Sequence, residues 1–310
     1  MKDLEELPFY LRSSGIVFNG ETCSFESANY VILGIPYDST VSFRPGTRFA
    51  PFQIRRVSEE IESYCLKKDV DFDTVRICDL GDVITLPPVE KTIKRVYNVI
   101  SAIMKKNKIF IAIGGEHTVT LGEVLAVRSY SGSDFKLVVF DAHMDMREEY
   151  PSGVKLSHAT VMRRIGDVLE FDNICFVGTR AVDREEIEFC RSINFGNFID
   201  ADIINQKQRS VVEKKLKKFL HSGDKVLISI DMDVLDPAFA PGVSNPEPLG
   251  ISPHALMNIL DTIVTMQVDV LGFDIVEVSP LYDYGNITSF LASRIIKDMI
   301  CYLESRNKSR

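Results

Sequence analysis

Short apolar runs separated by amphipathic segments dominate the hydrophobic pattern of this chain. Each run is apolar at successive positions, as expected of a strand that is buried on both faces of a sheet. The runs occupy residues 30–35, 75–80, 109–113, 136–140, 173–177, 197–199, 226–230 and 269–275. We therefore predict a sheet of about eight strands.

Helical spacing fills several of the intervals between these runs. Apolar side chains recur there three or four positions apart, so each segment presents one apolar face. The positions are Val89, Ile93, Val96, Ile100 and Ile103, then Val212, Leu216, Phe219 and Leu220, and then Leu256, Ile259, Leu260 and Ile263. Asp183, with Glu186 three residues later, predicts a further helix start. The alternation predicts an α/β fold in which a mainly parallel, doubly wound sheet has helices on both faces.

The composition suits one compact domain. With 310 residues and 45% hydrophobic content, the chain can bury a large core, and α/β folds of this size are commonly single domains. We expect one domain over residues 1–310, in which residues 1–29 form a peripheral N-terminal segment without a recognisable motif.

Charge and cysteine content argue against nucleic-acid binding, membrane insertion and secretion. The net charge is −8 and no basic run stands out, so nucleic acid is not an expected partner. The N-terminus has early acidic residues, and no later segment approaches the roughly 20 apolar residues of a membrane span. The six cysteines are scattered, without a C-x-x-C pair. We expect reduced thiols and a cytoplasmic protein that does not enter membranes.

Acidic and imidazole side chains stand at alternate positions where two of the predicted strands end. One strand is followed by Asp141, His143 and Asp145, and another by Asp231 and Asp233. Residues two apart in an extended chain point to the same side, so each group gathers at one place. Four carboxylates so close together would repel each other unless metal ions neutralised them. The pattern predicts a metal site with more than one ion.

His117 adds a third strand end to this set. It follows the predicted strand 109–113 and the pair Gly114 and Gly115, whose missing Cβ atoms allow a tight turn and a close backbone approach. In open parallel sheets, ligands bind beyond the carboxyl ends of the strands, where all these residues fall. Two imidazoles and four carboxylates form a hard, oxygen-rich set, which favours manganese over a thiolate-preferring ion.

Each of these residues has an ordinary structural alternative when it is taken singly. A lone aspartate at a strand end often caps a helix or closes a turn, and a lone buried histidine is often only hydrogen-bonded. The joint pattern favours the metal interpretation. Asp236, in an Asp-Pro pair, is expected to shape the turn after the second cluster.

Hydrolysis is the reaction class that such a site supports. Two metal ions that share carboxylates can lower the pKa of a water molecule and aim hydroxide at an electrophilic carbon or phosphorus. Glu277, at the end of another predicted strand, adds negative charge, so a cationic substrate suits the site better than a phosphate. Arg147 and Arg163 are the cations nearest in sequence, and the acids Glu148 and Glu149 adjoin the first.

The motifs taken together resemble the ureohydrolase family, which contains arginase and agmatinase. They are GGEH at 114–117, DAHMD at 141–145, SIDMDVLDPAFAPGVSNPEPLG at 229–250 and the segment Val-Ser-Pro after Glu277. GIPYDSTVSFRPGTRFAP at 34–51, SHAT at 157–160 and GTR at 178–180 extend the resemblance from residue 30 to residue 300. The resemblance implies a three-layer α/β/α fold of the arginase type. It also implies an enzyme that uses two Mn²⁺ ions to cleave a guanidino group into urea and an amine.

The resemblance further implies a role for each site residue. One ion would be held by His117, Asp141, Asp145 and Asp231, and the other by Asp141, His143, Asp231 and Asp233. Asp141 and Asp231 would bridge the ions, and Asp145 would accept a hydrogen bond from the bridging hydroxide that attacks the guanidinium carbon. Glu277 would pair with the guanidinium. His158 would carry protons or assist the departing amine, its alternative being an ordinary polar loop histidine.

The segment between Asp145 and His158 narrows the expected substrate. Arginases carry a polar Ser-Gly-Asn-type stretch there, which is absent from residues 146–157, and the SHAT form is more like the agmatinases. The expected reaction is therefore cleavage of agmatine to putrescine and urea. Glu148 or Glu149 could meet the distal amine of agmatine, or could equally belong to a solvated loop.

Three departures from the family pattern leave other substrates open: Met144, Ala159, and the pair Ser244 and Asn245. The alternatives are guanidinobutyrate, N-aminopropylagmatine, guanidine, arginine and formiminoglutamate. Two further alternatives belong to other classes, namely a metallohydrolase such as a phosphoesterase or deacetylase, and a catalytically silent oligomeric binding protein. The resemblance also implies a homo-oligomer, either a trimer or a hexamer.

Overall fold

The computed structural model describes residues 7–206 and 209–308, and its main elements are strands and α-helices. The strands are β1 (Leu11–Arg12), β2 (Tyr30–Ile35), β3 (Tyr64–Cys65), β4 (Val70–Asp71), β5 (Ile77–Val83), β6 (Ile109–Gly114), β7 (Lys136–Phe140), β8 (Ile174–Thr179), β9 (Phe198–Asp200), β10 (Lys225–Asp231) and β11 (Asp269–Val276). The helices are α1 (Ala50–Ser58), α2 (Val89–Met104), α3 (Thr120–Ser131), α4 (Val161–Leu169), α5 (Arg184–Ser192), α6 (Ala201–Asn205), α7 (Arg209–Phe219), α8 (Pro253–Thr265) and α9 (Ile287–Lys308).

Nine of the strands make one sheet, in the order β1-β5-β2-β6-β11-β10-β7-β8-β9. Neighbouring strands from β5 to β9 run parallel, and β1 pairs antiparallel with β5 at one edge. The eight predicted strands are all present in this sheet. The ninth is Leu11–Arg12, whose two residues are too few to give a hydrophobic pattern in the sequence. β3 and β4 form a separate two-stranded sheet.

Helices cover both faces of the large sheet, which confirms the predicted α/β fold. Apolar side chains of α2, α3 and α4 make the core on one face. Those of α1, α6, α7, α8 and α9 make the core on the other face. The predicted helix start at Asp183 is also present, because its side chain accepts a hydrogen bond from Glu185 N while Glu186 reaches back to Asp183 N. No helix in the described ranges is long and apolar enough to cross a membrane.

The strand order places the candidate site residues beside one another. Strands β6, β11, β10 and β7 are consecutive neighbours in the centre of the sheet. His117, Glu277, Asp231 and Asp141 lie at or just beyond the carboxyl ends of these strands. Loops from the next strands outward, β2 and β8, flank this group. One edge of the sheet therefore collects side chains that are far apart in sequence.

A buried guanidinium joins α1 to β5 near the edge of the sheet. Arg55, whose side chain is fully buried, donates to both carboxylate oxygens of Asp79 over 2.7 and 2.9 Å and to Asp82 over 2.7 Å. A fourth hydrogen bond runs to the carbonyl of Gly81. Gly34 allows this approach, since a Cβ at that position would lie 2.1 Å from an Asp82 oxygen. The network ties α1 to β5.

Replacing Arg55 with leucine is expected to destabilise the fold strongly. The substitution leaves two buried carboxylates without their cation, and breaking a buried ion pair from one side costs about 3–5 kcal/mol. The matched control is Arg56→Leu at the next, exposed position, which should change stability by no more than about 0.5 kcal/mol. Denaturant unfolding measures both variants. Equal stabilities of the two would contradict the structural role of Arg55.

Candidate metal centre and active site

Three carboxylate oxygens surround one ring nitrogen of His117. Nδ1 lies 3.1 Å from Oδ2 of Asp141, 3.2 Å from Oδ2 of Asp145 and 3.5 Å from Oδ2 of Asp231. His117 and Asp141 are completely buried, and the other two aspartates are nearly so. Because oxygens of like charge repel, a cation among these atoms is favoured.

A second group of ligand atoms adjoins the first through Asp141. Nδ1 of His143 lies 2.9 Å from Oδ2 of Asp233 and 3.6 Å from Oδ1 of Asp141. Asp141 thus turns one oxygen toward His117 and the other toward His143. The structure brings all six predicted ligands to this edge of the sheet, with Asp231 near the first group. A bridging role for Asp231 stays a prediction.

Main-chain hydrogen bonds fix the alternating residues in place. Asp141 Oδ1 accepts from the N–H of His143 over 2.6 Å, and Asp231 Oδ1 accepts from the N–H of Asp233 over 2.8 Å. Oδ1 of Asp233 accepts from the N–H of Ala142 over 3.1 Å, which joins the two loops. Each carboxylate therefore keeps one oxygen in the protein scaffold and presents the other to the site.

A buried chain of polar groups orients the His117 ring. Ser229 Oγ lies 3.1 Å from Nε2 and donates its hydrogen to Oδ1 of Asp274 over 2.7 Å. Because that hydrogen is committed, Ser229 accepts the hydrogen bond from Nε2–H. Nδ1, which faces the carboxylates, would then be the ring nitrogen that binds a metal ion. Thr120 donates to the other Asp274 oxygen, and Glu123 is buried beside this pair with a raised pKa caused by its burial and by Asp274.

Burial and charge crowding shift the pKa values of the acidic groups in different directions. Burial and the neighbouring Asp141 raise the pKa of Asp145 to about 7. Burial and the neighbouring Asp233 and Asp141 raise the pKa of Asp231 well above its usual range. Asp141 is also buried, but the two adjacent imidazoles, those of His117 and His143, lower its pKa. The crowded carboxylates thus favour a cation beside each of the two imidazoles.

The residues present fit a pair of metal ions. Among the described residues, two sets have ligand atoms close enough to share one ion: His117, Asp141 and Asp145, and Asp141, His143 and Asp233. Nδ1 of His117 and Oδ2 of Asp141 are buried and have no hydrogen-bond partner within the described chain. Imidazole nitrogen and carboxylate oxygen suit manganese and related divalent ions. The site could therefore hold two ions that share Asp141.

A pocket with a volume of about 330 Å³ opens above these ligands. Its wall contains the predicted residues His143, Asp145, His158, Asp231, Asp233 and Glu277. Other wall residues come from the loops after β2, β7, β8 and β10 and from the start of α5, and they include Ser42, Arg147, Tyr150, Asp183, Glu186, Ser244 and Asn245. Six acids and one arginine line this space, so acidic side chains outnumber basic ones in the wall. Such a pocket attracts cationic molecules.

Glu277 is held at the pocket wall by two donors. Its Oε1 accepts from the N–H of His117 over 2.7 Å, and its Oε2 accepts a short hydrogen bond from the hydroxyl of Ser244. Burial raises the pKa of Glu277 to about 8. A cation beside the carboxyl would favour its ionised form again. The position of Ser244, which departs from the family pattern, is thus explained by its contact with Glu277.

His158 also reaches the pocket, and its ring contacts two hydroxyl groups. Thr40 Oγ1 lies 3.4 Å from Nδ1, and Ser42 Oγ lies 3.2 Å from Nε2. Burial lowers the pKa of His158 to about 4, so the ring is neutral near pH 7. A neutral imidazole can accept a proton and pass it on.

The outer part of the pocket contains Asp183 in place of the two acids expected from the sequence. Glu148 pairs with Arg163 and Arg164, 3.1 and 3.2 Å away, and neither Glu148 nor Glu149 lines the pocket. Asp183 does line it, 3.1 Å from Arg147, while it caps α5. Of the two alternatives for Glu148, the structure favours the solvated loop, because two neighbouring arginines and a lysine already pair with that side chain.

Several site residues escaped the sequence argument. Thr40 and Ser42 follow β2 at the same edge of the sheet, so the rule that ligands bind at strand ends could have found them. Ser229 and Asp274 interrupt apolar strands, and a polar residue in a buried strand indicates a buried hydrogen bond or a functional site. The sequence did not indicate that Asp183 lines the pocket, because the capping pattern is a sufficient reason for an aspartate at this position.

The comparisons with known proteins agree with this geometry. The family model described as the arginase family matches residues 28–301. An agmatinase from Bacillus cereus is 33% identical over 93% of this chain and 96% of its own length. A guanidinobutyrase from Pseudomonas aeruginosa is 31% identical over 90% of this chain and 87% of its own length. The solved agmatine ureohydrolase of Thermoplasma volcanium is similar with a TM-score of 0.86 and 36% identity, over 99% of both chains.

These similarities extend over nearly the whole chain and include its site motifs. They confirm the resemblance to ureohydrolases that the motifs indicate. The chain belongs to the arginase family of hydrolases.

Proposed function

We propose that this chain hydrolyses agmatine to putrescine and urea with two Mn²⁺ ions. The observation that carries the proposal is one anionic pocket with carboxylates at both ends. Glu277 and the ligand group are buried at its base, and Asp183, whose side chain is 41% exposed, lines the part nearer the solvent. Agmatine is cationic at both ends, so its guanidinium and its amine would each meet negative charge. The similarity to agmatinases supports the same substrate.

His117, Asp141, Asp145 and Asp231 would hold one ion, and Asp141, His143, Asp231 and Asp233 the other. Two divalent ions held there would lower the pKa of a water molecule and so would supply hydroxide at neutral pH. The protein fixes these ligands in advance through its main-chain hydrogen bonds and through the Ser229–Asp274 pair.

Glu277 orients the substrate. Its two oxygens are held by the His117 N–H and the Ser244 hydroxyl, and a planar guanidinium offers paired donors that match a carboxylate. This contact would place the guanidinium carbon over the ligand group, in position for attack by water. Orientation of this kind removes part of the entropic barrier to the reaction.

Asp145 and His158 manage the protons. Asp145 lies at the ligand group and can accept the hydrogen of the attacking water. His158 is neutral in the resting protein and can take up the proton that the water loses. The departing nitrogen needs a proton before it leaves as an amine, and His158 is the pocket base that can return it. We further propose that the protein is a cytoplasmic homo-oligomer.

A second candidate substrate is 4-guanidinobutanoate, because Arg147 also lines the outer pocket. Its guanidinium could bind a carboxylate where agmatine carries an amine. Arg147 is 3.1 Å from Asp183, so each of the two side chains partly neutralises the other. The charge count of the whole pocket favours the amine.

Urea release from manganese-loaded protein distinguishes these substrates. The panel contains agmatine, 4-guanidinobutanoate, N-aminopropylagmatine, arginine and guanidine. We expect kcat/KM for agmatine to exceed that for 4-guanidinobutanoate at least about tenfold, equivalent to about 1.4 kcal/mol. A preference for the carboxylate compound would overturn the agmatine assignment, and no urea from any compound would overturn the reaction class.

The side chain of Asp183 can be tested without disturbing the helix that it caps. Asparagine caps helices as well as aspartate does, so Asp183→Asn should fold normally. It should lower kcat/KM for agmatine about two- to fivefold, the size expected for a partly exposed charge pair. Guanidine has no distal amine and serves as the control substrate, whose turnover should not change. Equal losses on both substrates would contradict a contact with the amine.

Metal content tests the ligand assignment. Wild-type protein, dialysed after manganese loading, should contain two ions per chain. Asp233→Ala removes a ligand of one ion and should leave a single ion, whereas Asp141→Ala should leave none because both ligand groups share Asp141. Elemental analysis counts the ions, and circular dichroism checks the fold.

Asp231→Ala and Asp183→Asn complete the metal test. Loss of both ions in Asp231→Ala would support a bridging Asp231, and loss of one would place it in the His117 group alone. Asp183→Asn retains the pocket but changes no proposed ligand, so it should keep two ions. Two tightly bound ions in a folded Asp141→Ala variant would rule out the shared-ligand arrangement.

A further inference from the structure

Two hydroxyl groups of the loop after β2 hold the ring of His158 at both nitrogens. Ser42 Oγ lies 3.2 Å from Nε2, and Thr40 Oγ1 lies 3.4 Å from Nδ1. Thr40 Oγ1 also accepts a 3.0 Å hydrogen bond from the main-chain N–H of His158. The ring of Tyr150 packs edge-on against the imidazole with 6.0 Å between centroids. The orientation of the imidazole is therefore determined by its surroundings.

The position of Glu116 indicates which ring nitrogen carries the hydrogen. Thr40 Oγ1 donates to Oε1 of Glu116 over 2.5 Å, and Thr40 N donates to Oε2 over 2.7 Å. Since the hydroxyl of Thr40 has one hydrogen, it can only accept from the His158 ring. Nδ1 therefore carries the hydrogen, and Nε2 presents its lone pair to Ser42.

The loop that carries Thr40 and Ser42 is fixed at several points. Asp38 is buried and accepts hydrogen bonds from the N–H of Gly46 over 2.9 Å and of Arg48 over 3.3 Å, which closes the loop. The guanidinium of Arg44 lies 5.2 Å from the ring centroids of Phe43 and of Tyr282, which follows the Glu277 segment. Ser42 is thus held in position before the substrate binds.

We propose that Ser42 carries the proton from Nε2 of His158 to the departing nitrogen, with Thr40 as the positioning residue. This inference rests on the proposed function. Ser42 and His158 both line the pocket, and the Ser42 hydroxyl is the group in contact with Nε2. A hydroxyl can accept one hydrogen while it donates another.

The proposed transfer moves one proton in three steps. Nε2 first takes up the proton that the attacking water loses. The hydrogen on Nε2 then moves to Ser42 Oγ, while the hydroxyl hydrogen of Ser42 moves to the departing nitrogen. The bond between that nitrogen and the central carbon breaks, and its electron pair stays on the nitrogen. The second hydrogen of the added water passes to Asp145 as the carbonyl group of urea forms. His158 is then neutral again, and the products are urea and the free amine.

Replacing Ser42 tests the hydroxyl directly. Ser42→Ala should lower kcat for agmatine about ten- to a hundredfold, the lower part of what general acid–base catalysis contributes. Its KM and metal content should match the wild type, because Ser42 is not a proposed ligand or guanidinium partner. Ser42→Thr keeps the hydroxyl and should recover most of the activity. Ser39→Ala removes an exposed hydroxyl of the same loop and should leave kcat unchanged.

An isothiourea analogue separates proton delivery from general damage to the site. In this analogue of agmatine, sulfur replaces the departing nitrogen, and a thiolate leaves without protonation. Hydrolysis still yields urea, together with a thiol. Ser42→Ala should therefore lose activity on agmatine but keep the wild-type rate on the isothiourea. Thr40→Val should show the same selective loss, and Thr40→Ser should recover the activity.

Equal losses on the two substrates would overturn the proton-carrying role of Ser42. The dependence of kcat for agmatine on the deuterium content of the solvent is a second measurement. Two protons that move together predict a curved dependence in the wild type and a loss of that curvature in Ser42→Ala, whereas a linear dependence in the wild type contradicts the transfer. Wild-type protein that releases urea from neither substrate overturns the proposed function, which is a distinct outcome.

Discussion

Repulsion among carboxylates at the carboxyl ends of β7 and β10 is the constraint on which the rest of the site depends. Oxygens of Asp141, Asp145 and Asp231 lie 3.1–3.5 Å from a single nitrogen of His117. In the described part of the chain these aspartates form ion pairs with histidines and with no lysine or arginine. An isolated buried charge is costly, so the protein needs cations at this edge of the sheet. The hydrogen bonds of the surrounding loops supply the rigidity that keeps the oxygens together.

That rigidity includes main-chain conformations which the residues would not adopt alone. Asp145 has a φ of 51° and Glu277 a φ of 65°, in the left-handed region that costs a non-glycine residue about 1 kcal/mol or more. The carbonyl of Asp145 accepts hydrogen bonds from the first turn of α4, and the N–H of Glu277 donates to the carbonyl of Gly115. Gly115 in turn packs so closely on the carbonyl of Tyr37 that a Cβ would lie 1.9 Å from its oxygen. Three strand ends are thus locked to one another through their main chains.

Much of this architecture could be predicted because its causes are local in the sequence. Apolar runs predicted all eight parallel strands, and the alternating pattern after β7 and β10 predicted which aspartates meet. The two-residue strand Leu11–Arg12 escaped, since it is short and pairs at an edge. Thr40, Ser42 and Asp183 escaped for a different reason. Their contacts with the pocket depend on how long loops return to the sheet, and no short pattern encodes that path.

The division between strands and loops also explains how one fold can accept different substrates. The ligand residues sit on or next to strands in the centre of the sheet, where a change in one disturbs both charge balance and packing. Asp183 lies in a loop but is less free to be substituted than other loop residues, because it caps α5 as well as lining the pocket. Arg147, Tyr150 and Asn245 carry no comparable capping duty, yet they line the same space. Substitutions at these residues can therefore change the substrate while the ligand residues at the base of the pocket stay the same.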